Sequence, residues 1–223
     1  MNVRTARITG LLYLGLAITG GLGFLFLRPR LFTSDASDTL ANLTQQESLA
    51  RVAVALELGV VLTQALAAVW FYRLFRTVDA VAAGGIAAFG LVNAVAILAS
   101  AAFLTTAVDL ATTGGDAAAV QTLALVSGNF WNVGALFFGL WLIPMGTCVL
   151  RSRAMPRPLG WVLVVGGVGY VVSGFVSALA PGAGAVTAAL TVPASIGEFW
   201  MIGYLLIRGV RPSAPAPAAV PVT

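Results

Sequence analysis

The chain has 223 residues, 59% hydrophobic and only 9% charged, with a mean hydropathy of +0.97; a soluble domain carries about 25% charged residues, so this is an integral membrane protein. All twelve basic residues are Arg, and the absence of His excludes a His-ligated haem, His-based zinc sites and a Ser-His-Asp triad, while the single Cys148 excludes an intramolecular disulfide, Cys-rich zinc sites and iron–sulfur clusters. The net charge of +4 and pI near 10 do not point to nucleic acid, because the charges sit in loops between apolar runs and form no basic face.

Six apolar segments are long enough to cross a bilayer, which takes about 20 residues each. The first, 9–27, follows the basic "MNVRTAR". It is too long for a signal peptide and runs into "LRPR" with no small-x-small cleavage site, so a retained helix is expected. The loop 28–50 offers Ser34 and Asp38 as N-caps, which predicts a short helix outside the membrane running into the second span. The spans that follow are 51–72, 81–107, 122–150, 159–180 and 186–207. Pro144 and Pro193 lie inside spans, where each kinks its helix or frees a carbonyl. Small residues recur on the fifth span at Gly169, Ser173 and Ser177, with Gly174 and Ala178 beside them. Such a stripe suits close helix packing, within the bundle rather than across a dimer face. Cys148 reads as a small apolar residue near a helix end. The organisation expected is one six-helix domain over 1–211, then a disordered Pro/Ala-rich tail at 212–223.

Arginine sets the orientation. With the N-terminus in the cytoplasm, the inner segments hold Arg4, Arg7, Arg73, Arg76, Arg151, Arg153, Arg157, Arg208 and Arg211, and the outer segments hold Arg28, Arg30 and Arg51. The positive-inside rule favours this arrangement, with both termini cytoplasmic. Trp70, Tyr72, Trp161 and Tyr204 then sit at inner interfacial-belt positions.

Polar side chains at membrane depth mark the candidate site. A charge at mid-bilayer costs about 2.5–3.5 kcal/mol on insertion scales, so it faces the bundle interior or a wet cavity. Glu57 lies roughly 9 Å into the second span and Glu198 roughly 18 Å into the sixth, at 1.5 Å per residue. Gln64 shares a face with Glu57 at a spacing of seven; Thr191 and Ser195 precede Glu198 on or near its face; Asn129 and Asn132 share a face of the fourth span, as Asn93 and Ser100 do on the third. These stripes predict one interior cluster of Glu57, Gln64, Asn93, Asn129, Asn132 and Glu198, with Ser195 and Thr191 in support and Arg51 or amides as partners for the carboxylates. The cluster reads in two ways: a site for a proton, cation or small ligand, or hydrogen bonding that fixes helix packing.

There is no Walker loop, HExxH or GxSxG motif. No catalytic residue, metal ligand or cofactor is assigned. "RITGLLY" and "RPLGWVL" suggest that the first two helices are repeated in the last two. The stretches "RITGLLYLGLAITG", "RLFRTVD", "FFGLWLIPMGTCVLRSRAMPRPLGWVLVVGGVGY" and "GEFWMIGYLLIRG" together resemble the bacterial membrane family catalogued as domain of unknown function 4386. The resemblance covers nearly the whole chain and implies an all-α, six-helix protein of the bacterial cytoplasmic membrane. It places Glu198 at what looks like the family's acidic position in the last helix, and brings no assigned activity. Three functional readings stand: a small binding or transport protein with an intramembrane carboxylate and amide site, an accessory or structural membrane protein, and an intramembrane enzyme acting on an apolar substrate. The partners expected are the lipid bilayer and, on the first reading, a small ligand or proton, with no nucleic acid; the oligomeric state is not legible.

Overall fold

A computed structural model describes residues 2–210. Among them every regular element is helical. The first span, Val3–Leu31, is continuous but not uniform: α1 (Val3–Gly20) passes into a π-helical stretch, Gly21–Leu27, and ends in a short α2 (Arg28–Leu31). Then come α3 (Ala36–Gln45), α4 (Glu47–Phe75), α5 (Ala80–Thr112), α6 (Ala117–Ser152), α7 (Arg157–Leu179) and α8 (Gly184–Ile207). Six helices are long and apolar enough to cross a membrane, and the protein is a polytopic all-α bundle. The tail expected at 212–223 lies outside the described residues.

Three of the spans, α1, α5 and α6, begin before the limits expected from hydropathy because they start at polar caps outside the apolar runs. Asn2 accepts from the Arg4 N–H, Asp79 from Ala82 and Asp116 from Ala119. Asp79 also pairs with Arg151 at the far end of α6. The Ala82 N–H and the Arg151 guanidinium hold the Asp79 carboxyl below the usual carboxylate range. The extramembrane helix needs a correction. Its cap is neither Ser34 nor Asp38 but Asp35, whose side chain accepts from the Ser37 and Asp38 N–H groups. It also does not run into the second span, because Gln46 leaves helical geometry at φ −116°, ψ 40° before α4 begins.

An even number of crossings leaves both described ends on one side of the bundle, here called the terminal end; α3 covers the other, the capped end. Packing follows chain order: the first span lies against α4, α4 against α5, α5 against α6, α6 against α7, α7 against α8, and α8 returns to α1. The result is a closed ring. Lipid supplies no hydrophobic force between such helices, so close backbone approach has to hold them. On the α1–α4 seam, a Cβ added to Gly15 would lie 3.0 Å from Thr63 Cγ2, and one added to Gly59 would lie 2.9 Å from Thr19 Cγ2. The two Gly-x-x-x-Thr pairs thus interlock, and each threonine hydroxyl donates back to its own helix at Gly15 or Gly59. On the α6–α7 seam, Gly139 faces Gly167 and Gly146 faces Gly160, with added Cβ atoms 2.5–3.0 Å from the opposing glycine carbonyls. Gly166 on α7 meets the Ala194 backbone of α8, and Gly169 meets Leu190, whereas a side chain at Gly174 would meet nothing within 4 Å.

The interior is filled at two levels. Towards the terminal end, Tyr13, Phe71 and Trp141 meet edge to face at 5.4–5.8 Å, and Phe75 stacks on Phe71. Under α3, Leu31, Leu43, Leu104, Val108 and Val120 form a second apolar cluster. The polar side chains lie between these two plugs.

Candidate functional site

Glu57 and Glu198 occupy different depths and have different partners. Glu57 is 2% exposed. Its Oε1 accepts from Arg28 Nη1 at 2.6 Å and from Trp131 Nε1 at 3.0 Å. Arg28, itself 9% exposed, also donates from Nη2 to Ser127 Oγ at 2.9 Å. Ser127 and Ser100 Oγ are 2.8 Å apart, and Ser100 bonds the Ser127 carbonyl. Three helices and the first span therefore meet in one charge-assisted network below α3. The π-helical stretch sets this up: the Arg28 N–H reaches back five residues to the Gly23 carbonyl. A residue in an α-helix turns by about 100°, so one widened turn moves everything after it to a new face. Arg28 thus turns inward from a position that hydropathy marks as loop. The Arg51 pairing expected for Glu57 is corrected: Arg51 is exposed and binds Glu47 at 2.8 Å and Asp109 at 3.3 Å.

Glu198 lies deeper, on α8. Its Oε1 accepts from the Tyr13 hydroxyl at 2.5 Å, across the α1–α8 contact that closes the ring. Tyr13 is 1% exposed and is held by the edge-to-face contacts with Phe71 and Trp141. The pair forms part of the wall of a cavity of about 280 Å³. Gln64, Asn93, Tyr170 and Ser195 also line it, while most of the remaining wall is apolar. Gln64 is fully buried, and neither its Oε1 nor its Nε2 has a protein partner. The wall residues Leu25 and Phe199 are exposed, so the cavity reaches the outside between the first span and α8.

The structure brings Gln64, Asn93, Ser195 and Glu198 to one cavity and places the other expected residues elsewhere. Asn129 and Asn132 are exposed and line a second cavity of about 450 Å³, nearer the capped end, with Arg28, Thr33 and Gln121. The Thr191 hydroxyl donates to the Ala188 carbonyl of its own helix. Sequence reasoning did not single out Tyr13, Arg28, Ser127 or Trp131. Arg28 carried a signal, being next to a run with three glycines at 20, 21 and 23 where a helix widens easily. Tyr13 carried none, since one tyrosine in an apolar helix has no preferred partner.

The family model for domain of unknown function 4386 (DUF4386) matches residues 8–209. The chain belongs to this family. Comparison with curated proteins and with solved structures gives no match. The match runs from α1 to the end of α8, so the DUF4386 domain of this chain contains both carboxylate sites and the whole ring. Membership brings no activity with it, and the chemistry has to be argued from the cavity. A carboxylate bonded to a phenol can accept, donate or hold a proton. The Gln64 amide offers one acceptor and two donors, and Asn93 the same. Together they can bind the polar end of a small molecule whose remainder packs on the apolar wall.

Proposed function

We propose that this DUF4386 protein is a small membrane binding protein, with the Glu198 cavity as its ligand site. The observation that carries the reading is Gln64: a fully buried amide with no protein partner, on the wall of a cavity it shares with a carboxylate. An unmade buried hydrogen bond costs about 1–3 kcal/mol, and a sequence selected only for packing would hold an apolar residue there. The ligand is a small molecule with an apolar body and one polar group that both donates and accepts. At about 280 Å³ the cavity is at the small end of ligand pockets, which span roughly 300–1,000 Å³. Transport is the extension of this reading in which Glu198 exchanges a proton as the ligand moves. The Glu57 network favours a structural role for that carboxylate, since Arg28, Trp131, Ser127 and Ser100 bind one another. The Arg distribution supports an orientation with both termini in the cytoplasm, and the family resemblance supports a bacterial cytoplasmic membrane.

The test is thermal unfolding of the purified protein with octanol, octanamide, octanoic acid and octane. A ligand at about 100 times its Kd adds about 2.7 kcal/mol. A polar-headed member of the series is expected to raise the Tm of the native chain, and octane is not. Gln64→Leu is expected to abolish that shift while unfolding at or above the native temperature without ligand. If no polar-headed compound separates from octane, or if Gln64→Leu keeps the shift, the binding reading is wrong.

A further inference from the structure

The two cavities share a wall. Phe24 and Leu25 of the π-helical stretch line both the Glu198 cavity and the groove that carries Asn129 and Asn132. Phe24 stacks on Trp131 with ring centroids 4.8 Å apart and planes 29° off parallel. Trp131, which also lines the Glu198 cavity, is held in place by its bond to Glu57. Glu57 in turn holds Arg28, four residues after Phe24 on the same helix. The ring between the cavities is thus tied to one network, through its stack on Trp131 and through Arg28 one turn further along its own helix.

We infer that the groove lined by Arg28, Gln121, Asn129 and Asn132 is a vestibule that admits the ligand from water at the capped end, and that Phe24, stacked on Trp131, closes the passage from it to the Glu198 cavity. This rests on the proposed reading of that cavity as a binding site. The vestibule's chemistry sets the class of solute. Three amide side chains line it, and the Gln121 Oε1 is buried without a protein partner. Its one cation, Arg28, is neutralised by Glu57 at 2.6 Å. The solute it suits is small and uncharged, with one hydrogen-bonding group for the amides to pass along and an apolar body that slips by an aromatic pair. An ionic solute would have to compete with Glu57 for the guanidinium.

The π-helical stretch can move Phe24. It holds one residue more per turn than an α-helix, and such turns occur often at functional sites. Converting it to α-helical bonding rotates Phe24 relative to α1, draws it off Trp131 and pulls Arg28 from Glu57. Opening the passage and breaking the ion pair are then one event. The start of the stretch has room to turn, since a side chain at Gly21 would meet nothing within 4 Å, while Gly23 stays packed on Leu56 of α4 as the pivot.

The experiment is cysteine labelling in nanodiscs with an uncharged, sugar-linked methanethiosulfonate that does not cross lipid. Gln64→Cys reports the inner cavity, Asn129→Cys the vestibule, and the native buried Cys148 the integrity of the fold. In the closed protein Asn129→Cys labels readily and Gln64→Cys slowly. An open state populated at 0.1–10% leaves room for about a tenfold or larger gain. Adding Phe24→Ala is expected to speed labelling at Gln64→Cys by that factor, with Asn129→Cys and Cys148 unchanged. Phe24→Trp is expected to slow it. If Cys148 also becomes reactive, Phe24→Leu replaces the alanine variant under the same criterion, because it keeps apolar bulk and loses the stack. The inference is overturned if Gln64→Cys labels at the same rate with and without Phe24. It is equally overturned if only a lipid-permeant maleimide reaches Gln64→Cys, which would put the route through the bilayer. Labelling measures the passage and the octyl series measures binding, so each claim can fail separately.

Discussion

Arg28 and Glu57 meet with the carboxylate buried and only an edge of the guanidinium exposed, and taking charges out of water costs several kcal/mol each. The pair holds because its remaining valences are taken up: Trp131 bonds the carboxylate, Ser127 bonds the guanidinium, and Phe32 lies 5.2 Å below the guanidinium carbon. The carboxylate's second oxygen is the exception, buried without a partner. Removing one member is therefore far worse than removing both. Arg28→Met should lower stability by about 3–5 kcal/mol, by leaving the Glu57 charge uncompensated. Adding Glu57→Leu should recover most of that loss, because an apolar pair of similar volume needs no compensation. Chemical unfolding in lipid nanodiscs reads both steps. Equal losses for the single and double variants would show that the cost lies in packing around Arg28 rather than in the orphaned charge.

At the scale of elements, the bundle depends on where backbones touch. Gly139 and Gly146 on α6 oppose Gly167 and Gly160 on α7, and each added Cβ would run into a carbonyl of the other helix. Gly146→Leu should force the helices apart and leave the chain largely unfolded or degraded. Gly174→Leu, on α7 where nothing lies within 4 Å, should leave folding intact. Expression level and a monodisperse elution profile separate the two, and equal behaviour would mean that the glycine contacts are dispensable. These seams were only partly readable in advance. Gly169 and Ser173 were expected to pack within the bundle, and Gly169 does meet α8, while Ser177 and Ala178 of the same stripe are exposed. The six helices themselves were legible because hydropathy averages over about 20 residues and tolerates local error. The inward turn of Arg28 was not, because a single widened turn decides it. Gln64 and Asn93 were legible as interior residues because an amide in lipid needs a partner. Their separation from Asn129 and Asn132 depends on depth along the helix, which facing alone does not specify.

For the whole molecule, the ring in chain order sorts charge between its ends. The terminal end carries Arg4, Arg7, Arg73, Arg76, Arg151, Arg153, Arg157 and Arg208 around one acid, Asp79, and Arg211 follows in the sequence. The capped end has Arg28, Arg30 and Arg51 among Asp35, Asp38, Glu47, Glu57, Asp109 and Asp116. The structure sharpens this asymmetry, since Arg28 is buried against Glu57 and Arg51 binds two acids, which leaves Arg30 as the one capped-end Arg outside an ion pair among the described residues. Positive residues near span ends set orientation through short loops, and the loops here are short. The terminal end should therefore face the cytoplasm and the vestibule the opposite side. An alkaline phosphatase inserted at Gly114, in the exposed turn between α5 and α6, should be active, and a fluorescent protein fused after Thr223 should fluoresce inside the cell. Changing Arg151, Arg153 and Arg157 to Asn leaves the terminal end with six arginines against three, so both signals should persist. Inactive phosphatase at Gly114 together with a dark C-terminal fusion would reverse the orientation. The passage past Phe24 would then open towards the cytoplasm, and the ligand would have to be sought there.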